Sequence, residues 1–277
     1  MTSQNHDPAL IFLHIPKTAG TTLNRIIEWQ YDPRLIYTVD PYQIRATVGR
    51  LQTLPEERRR GLRVVRGHLI YGVHDCLPQG GTYITMLRDP VKRVLSSYQF
   101  ILRRPLHPLH RKLKAKGIGV EEFLNYTAKR QNLQTKMLAG VPYVGPCDES
   151  TLERAIENAE KSFAVVGLSE RFQESLLMIA ASFGWKIPYY ENRKVSKNRP
   201  TIDPATIERI REYNRQDLAL YEYGKRRFEG DLRKHGAAMA ETAAALEATP
   251  RPGKFETFVT TTVGTSRFLV SKVTSVL

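Results

Sequence analysis

Lys17 stands in the run Pro16-Lys17-Thr18-Ala19-Gly20-Thr21-Thr22, directly after the apolar stretch Leu10-Ile11-Phe12-Leu13. A point cation, the hydroxyls of Thr18, Thr21 and Thr22, and the free N–H groups of a tight turn suit one ligand class: an anion with several oxygens. The apolar stretch reads as a buried parallel strand. Thr21 and Thr22 open an amphipathic helix with Leu23, Ile26 and Ile27 on one face. Strand, basic turn and helix together aim backbone N–H groups and a positive helix end at the anion, so the run predicts a phosphate or phosphosulfate site. A Thr-rich turn with a surface lysine is the plain alternative. The run is not the usual ATP loop, GxxxxGK[ST], because Lys17 precedes Gly20 instead of following it.

A second motif is Arg88-Asp89-Pro90-Val91-Lys92-Arg93-Val94-Leu95-Ser96-Ser97-Tyr98. Arg88 leaves a β-rich run, Thr82–Leu87, and Ser96 falls two turns into the helix predicted over Val91–Leu102. An arginine fork and a serine hydroxyl across one helix start suit a phosphate monoester, with Arg93 as a further candidate. Asp89 fits the N-cap and Pro90 the first helical position, so a capped helix with an outward arginine is the plain alternative. Gly67-His68 follows a third strand candidate, Leu62–Arg66. A lone histidine is often structural; its place at a strand end makes His68 a candidate for function, ahead of His14 and His74. The basic segment Asn192–Pro200 adds Arg193, Lys194, Ser196 and Lys197 as anion-binding candidates, against the plain alternative of a solvated linker.

These motifs need a scaffold that brings them together. Strand candidates at 10–13, 62–66, 82–87 and 163–168 alternate with helices, which predicts an α/β fold with a mainly parallel sheet and helices on both faces. Ligands of such sheets sit beyond the C-terminal strand ends. The Lys17 loop, Gly67-His68 and Arg88–Ser96 all fall at such ends. Between them, Pro33–Asp40 is mixed with a short extended piece, and Pro41–Arg60 reads as one helix closed by Gly61. The stretch 103–119, basic and rich in His and Pro, reads as an exposed loop or insertion over the site. Helices are expected over 120–128, over 133–139 with Gly140 as the stop, from Ser150 through 161 with Glu153 completing a capping box, from 169 to about 183, and over 204–234. Residues 1–8 read as a disordered start and 9–235 as one catalytic domain. Residues 236–277 read as a tail, partly helical or disordered, with an Ala-rich piece at 237–248 and a Pro-Arg-Pro-Gly linker at 250–253.

The 277 residues suffice for one large α/β domain or two small ones, and the net charge of +14 suits an anionic partner without choosing among nucleotide, acidic glycan, nucleic acid or membrane surface. Two distant cysteines, Cys76 and Cys147, argue against a disulfide framework and fit a reducing cytoplasm. The N-terminus has no apolar signal region, and no run reaches the ~18–20 apolar residues of a membrane span. A cytoplasmic protein without a transmembrane segment is therefore expected.

The order PKTAGTT after a strand resembles the 5′-phosphosulfate loop of sulfotransferases. The longer HIPKTAGTT resembles the carbohydrate group that includes heparan sulfate 2-O-sulfotransferase. Arg88 and Ser96, in an Rx7SxY pattern, match that family's 3′-phosphate motif. Asn132-Leu133-Gln134-Thr135-Lys136-Met137-Leu138-Ala139-Gly140 is similar to its N-L-Q-T-x-x-L-x-G segment, for which helix packing through Leu133, Met137 and Leu138 is the expected job, with Asn132 or Gln134 as candidates to face the site. The 192–200 loop and the helix after 204 resemble its late elements. The likeness runs from about Leu10 to about Lys234. It implies 3′-phosphoadenosine 5′-phosphosulfate (PAPS) as donor, adenosine 3′,5′-bisphosphate (PAP) as product, a sugar or glycan hydroxyl as acceptor, and no required metal. It implies His68 as general base, with Lys17 and the turn N–H groups steadying the transferring group. Arg66 occupies the place where the 2-O-sulfating members carry a second histidine. A P-loop-type nucleotide kinase is the competing enzyme class; it needs an acidic Mg²⁺ partner, for which Asp89 is the nearby candidate. A non-enzymatic polyanion binder is a third class, and nucleic acid is not expected because residues 103–119 interleave no aromatics with their cations.

Overall fold

A computed structural model of the protein describes residues 7–186 and 202–247. Its centre is a five-stranded, wholly parallel sheet in the order β2-β3-β1-β4-β5. The strands are β1 (Ala9–Leu13), β2 (Ile36–Val39), β3 (Val64–Gly67), β4 (Gly81–Leu87) and β5 (Phe163–Leu168). All residues of β1 are buried, and since neighbours on a strand point to opposite faces, the sheet is covered on both sides. The α/β reading therefore holds.

The chain leaves β1 through α1 (Gly20–Gln30) to reach the edge strand β2, returns to β3 beside β1, and crosses to β4 on β1's other flank. The reversal opens a crevice at the carboxyl end of β1, where open α/β sheets take their ligands. Leu13 is the register point: it lies opposite Gly67 on one side and Thr85 on the other. Thr85 Oγ1 donates to the Leu13 carbonyl at 2.8 Å, and His14 N donates to the Gly67 carbonyl at 2.9 Å. The ends of β1 and β3 are thus locked level, and β4 runs two residues further, to Leu87.

Several boundaries differ from expectation. Pro33–Asp40 yields a whole edge strand, β2, with Ile36 and Tyr37 half-buried, Thr38 exposed and Val39 buried. Residues 41–60 form two helices, α2 (Ile44–Thr53) and α3 (Glu56–Arg60), because Pro55 forces Leu54 into extended backbone at φ −60°, ψ 146°. After α4 (Pro90–Leu102), the basic stretch contains a short helix, α5 (His110–Ala115). Leu113 and Ile118 enter a second apolar cluster with Val94, Ile101 and Phe123, so this insertion has a core of its own. Phe123 lies on α6 (Val120–Thr127), which follows that stretch. Helix α7 (Leu133–Ala139) stops at Gly140, in left-handed backbone at φ 73°. Helix α8 (Glu149–Ser162) is capped by Asp148, whose Oδ1 accepts from Thr151 N at 2.9 Å; the expected Ser150–Glu153 box does not form, since the carboxylate two residues earlier takes its place.

Beyond β5, α9 is Phe172–Phe183. The expected single helix after 204 is two, α10 (Pro204–Tyr213) and α11 (Arg215–Glu247), parted at Asn214. Helix α11 runs on through Gly236. Helices α7 and α11 cap each other at their N-termini. Asp217 accepts from Thr135 N at 2.8 Å and Gln134 N at 3.3 Å, while Asn132 Oδ1 accepts from Gln216 N at 3.0 Å and Asp217 N at 3.1 Å. No helix of the described residues is long and apolar enough to cross a membrane.

Candidate active site

The loop after β1 is shaped by its backbone. Lys17 and Ala19 both take left-handed conformations, at φ 73° and 65°, an uncommon choice for residues with a Cβ. Thr18 is buried and its Oγ1 donates to the Ile15 carbonyl at 2.8 Å. In this structure that hydroxyl closes the loop on itself. Ala19 offers no side-chain cap to α1; Thr22 N donates to the Ala19 carbonyl at 3.1 Å, and the N–H groups of Gly20 and Thr21 lie at the open start of the helix. Pro16 is half-buried and Thr21 exposed. The Lys17 ammonium lies 4.2 Å from the ring centre of Phe100 on α4.

Arg88 leaves β4 next door. Its Nη1 donates to the Lys17 carbonyl at 2.9 Å, and a Glu170 carboxylate oxygen stands 4.0 Å from Nε. The Arg88 backbone is held by one side chain: Gln134 Oε1 accepts from Arg88 N and Gln134 Nε2 donates to Arg88 O, both at 2.9 Å. Leu133, Met137 and Leu138 are buried as expected, but the polar residues of that segment do more. Asn132 caps α11 and Gln134 fixes Arg88. Asp89 caps α4, its Oδ1 accepting from Lys92 N at 2.8 Å. That bond fits the capping role expected of Asp89. Ser96 is half-buried on α4. Arg93, by contrast, points inward: it is buried, with Nη2 3.8 Å from Asp217 Oδ2.

His68 follows Gly67, whose φ of 139° and closeness to Val39 O (2.6 Å from a Cβ placed there) admit only glycine. Its main-chain carbonyl accepts from the Tyr143 hydroxyl at 2.8 Å. The His68 ring meets His14 edge to face, with centres 4.6 Å apart. Burial pulls the His68 imidazole down to about 4. Burial likewise lowers His14 to about 3, helped by the charges of His68, Arg66 and Lys17. Both rings are therefore neutral at pH 7, the state a proton acceptor needs. His14 is also wedged against the loop: a Cβ on Gly20 would fall 2.1 Å from its ring, and its Nδ1 lies 3.3 Å from Asn24 Nδ2. Arg66 is occupied elsewhere. It donates to Thr38 Oγ1, Asn24 O and Glu28 Oε1, clamping β2 and β3 to α1. The second imidazole of the site thus comes from β1.

The structure brings the Lys17 loop and Arg88 into direct contact and places His68 beside His14, which itself abuts the loop. Arg193, Lys194, Ser196 and Lys197 lie outside the described residues. Of the two residues the sequence offered as facing the site, Gln134 meets the Arg88 backbone and Asn132 caps α11, while sequence reasoning missed Phe100. The i, i+4 spacing of Ser96 and Phe100 puts both on one stripe of α4, a signal that was available.

A sequence profile described as galactose-3-O-sulfotransferase matches residues 2–252. Human heparan-sulfate 6-O-sulfotransferase 1 is 27% identical over 275 residues, covering 80% of this chain and 66% of that protein. Human heparan-sulfate 6-O-sulfotransferase 3 is 29% identical over 178 residues, covering 53% and 38%. The chain therefore spans about two thirds or less of the length of these relatives. A solved sulfotransferase from Alicyclobacillus acidocaldarius overlaps 78% of this chain and 94% of its own, at a TM-score of 0.44 and 17% identity. The relatives carry 6-O names where the motifs resembled the 2-O enzyme; the carbohydrate sulfotransferase resemblance itself holds. On the match across most of its length, the chain belongs to the galactose-3-O-sulfotransferase family.

Proposed function

We propose that the protein transfers a sulfuryl group from PAPS to a hydroxyl of a carbohydrate. The observation that carries this reading is the meeting of three motifs at adjacent strand ends: the Lys17 loop after β1, His68 after β3 and Arg88 after β4. PAPS has two anionic ends. The uncapped start of α1 with Lys17 suits the 5′-phosphosulfate, and Arg88 with Ser96 suits the 3′-phosphate.

In the reaction, His68 takes the proton of the acceptor hydroxyl as its oxygen forms the new bond to sulfur. The bond from sulfur to the bridging phosphate oxygen breaks, and PAP leaves with that electron pair. Lys17 and the loop N–H groups offset charge growing on the bridging oxygen. Such transfers depend on positioning and charge neutralisation more than on covalent help. His68, held neutral well below pH 7, is ready to accept the proton.

The test is incubation with ³⁵S-labelled PAPS and a panel of polysaccharides and small alcohols. Label is expected in a carbohydrate, with PAP released in equal amount. Transfer of phosphate from ATP with Mg²⁺, and no sulfate transfer to any acceptor, would overturn the reading.

A further inference from the structure

We propose that Phe100 is a positioning residue for the donor loop: the face of its ring holds the Lys17 ammonium in place before an anionic donor arrives. The inference rests on the reading of Lys17 as a donor-binding residue. Phe100 lies on α4, four residues beyond Ser96 and so on the same stripe of that helix. It is half-buried, with its ring anchored against the second apolar cluster. Lys17 Nζ sits 4.2 Å from the ring centre, inside the range where the negative ring face attracts a cation.

The same ring carries a second cation, with Arg104 Cζ 5.1 Å from its centre. Packing alone asks for no cation on an aromatic ring, and here one ring meets two: Arg104, four positions along the chain, and Lys17 from the remote loop after β1. Lys17 is thereby held at both ends. Arg88 fixes its main-chain carbonyl and Phe100 its side-chain tip. A lysine has a long, flexible stem, and ordering that stem in advance removes part of the entropic cost of binding. Phe100 thus links the two anion ends of the site through one helix.

Replacing Phe100 by mono-, di- and trifluorophenylalanine tests this, because fluorine drains the ring face of negative potential while nearly keeping its shape. PAP affinity is read by calorimetry and stability by urea midpoint. The expected result is a stepwise loss of affinity, about 3- to 10-fold across the series, at constant urea midpoint. Phe100→Trp should retain affinity and Phe100→Leu should lose it. In a Lys17→Met background the fluorine dependence should vanish. In the ligand-free protein, the Lys17 ε-methylene protons should be shifted upfield by the ring and return to ordinary values in Phe100→Leu. PAP affinity that stays flat across the series overturns the role of Phe100 alone. Failure of the unsubstituted protein to bind PAP, with the upfield shift present, overturns the donor reading and this role with it.

Discussion

Arg88 Nη1 donates to the main-chain carbonyl of Lys17 at 2.9 Å, across 71 positions of sequence. This bond makes one unit of two motifs that emerge from neighbouring strands. The guanidinium holds the main chain of the loop at the end of β4, with Glu170 Oε1 4.0 Å from its Nε. Its own backbone is pinned by Gln134.

Arg88→Ala should weaken PAP binding by about 10-fold or more, the loss typical of a charge-assisted hydrogen bond. Arg88→Lys keeps the charge but not the fork, and should fall between wild type and alanine. Isothermal calorimetry on folded variants reads this. Equal affinity in all three would remove Arg88 from the donor site.

If His68 is the base proposed above, acting on the acceptor and not on the nucleotide, His68→Ala should lower kcat by about 10²-fold or more while leaving PAP affinity within about twofold. Lys17→Ala should lower kcat by a similar factor and weaken PAP as well. The acid limb of kcat/KM in the unsubstituted protein should fall near pH 4 and not near 6.5, since burial holds His68 neutral down to about that value. An acid limb at ordinary imidazole pKa would contradict the placement of this ring as the base.

Much of this site was legible in the sequence for a physical reason: its parts lie next to strong local signals. The apolar run before Lys17 makes β1, the run before Arg88 makes β4, and Asp89-Pro90 starts α4 where capping chemistry says it should. Edge strand β2 was only half legible, because a strand with one exposed side and four residues has too little periodicity. Helix α5 was hidden because its cations outnumber Leu113, its buried residue. Other relations have no local trace at all. The mutual capping of Asn132 and Asp217 spans 85 positions, and the Phe100–Lys17 contact joins residues in different motifs. His14 looked like a residue packed beside the loop; only the level strand ends show that it also touches His68.

Stability should fall as pH drops through the range between the unfolded and folded histidine pKa values. His14 and His68 are depressed to about 3 and 4 from 6.5, so below pH 6.5 the unfolded chain binds protons that the folded one refuses. Their stabilising contribution is present above pH 6.5 and is lost toward pH 4, by up to about 1.4 kcal/mol per pH unit for each ring. Urea midpoints between pH 7.5 and 5 measure this. His14→Gln and His68→Gln should each flatten the slope relative to wild type. Slopes unchanged in both would mean that the rings titrate normally in the folded protein.

Gly20 and His14 should be strongly coupled. Gly20 opens α1, and its backbone is outside the left-handed region, so alanine is conformationally acceptable there. The obstacle is the His14 ring, 2.1 Å from where the new Cβ would sit. Gly20→Ala alone should therefore destabilise by about 1–3 kcal/mol, the usual penalty for forcing a methyl into a packed site. In a His14→Ala background the ring is gone and the methyl has room. There the substitution should be neutral or stabilising, since alanine is favoured over glycine in a helix by about 1 kcal/mol. A double-mutant cycle by urea denaturation gives the interaction energy directly. Additive effects would mean that His14 does not press on the loop, and the link between loop and imidazole pair would be lost.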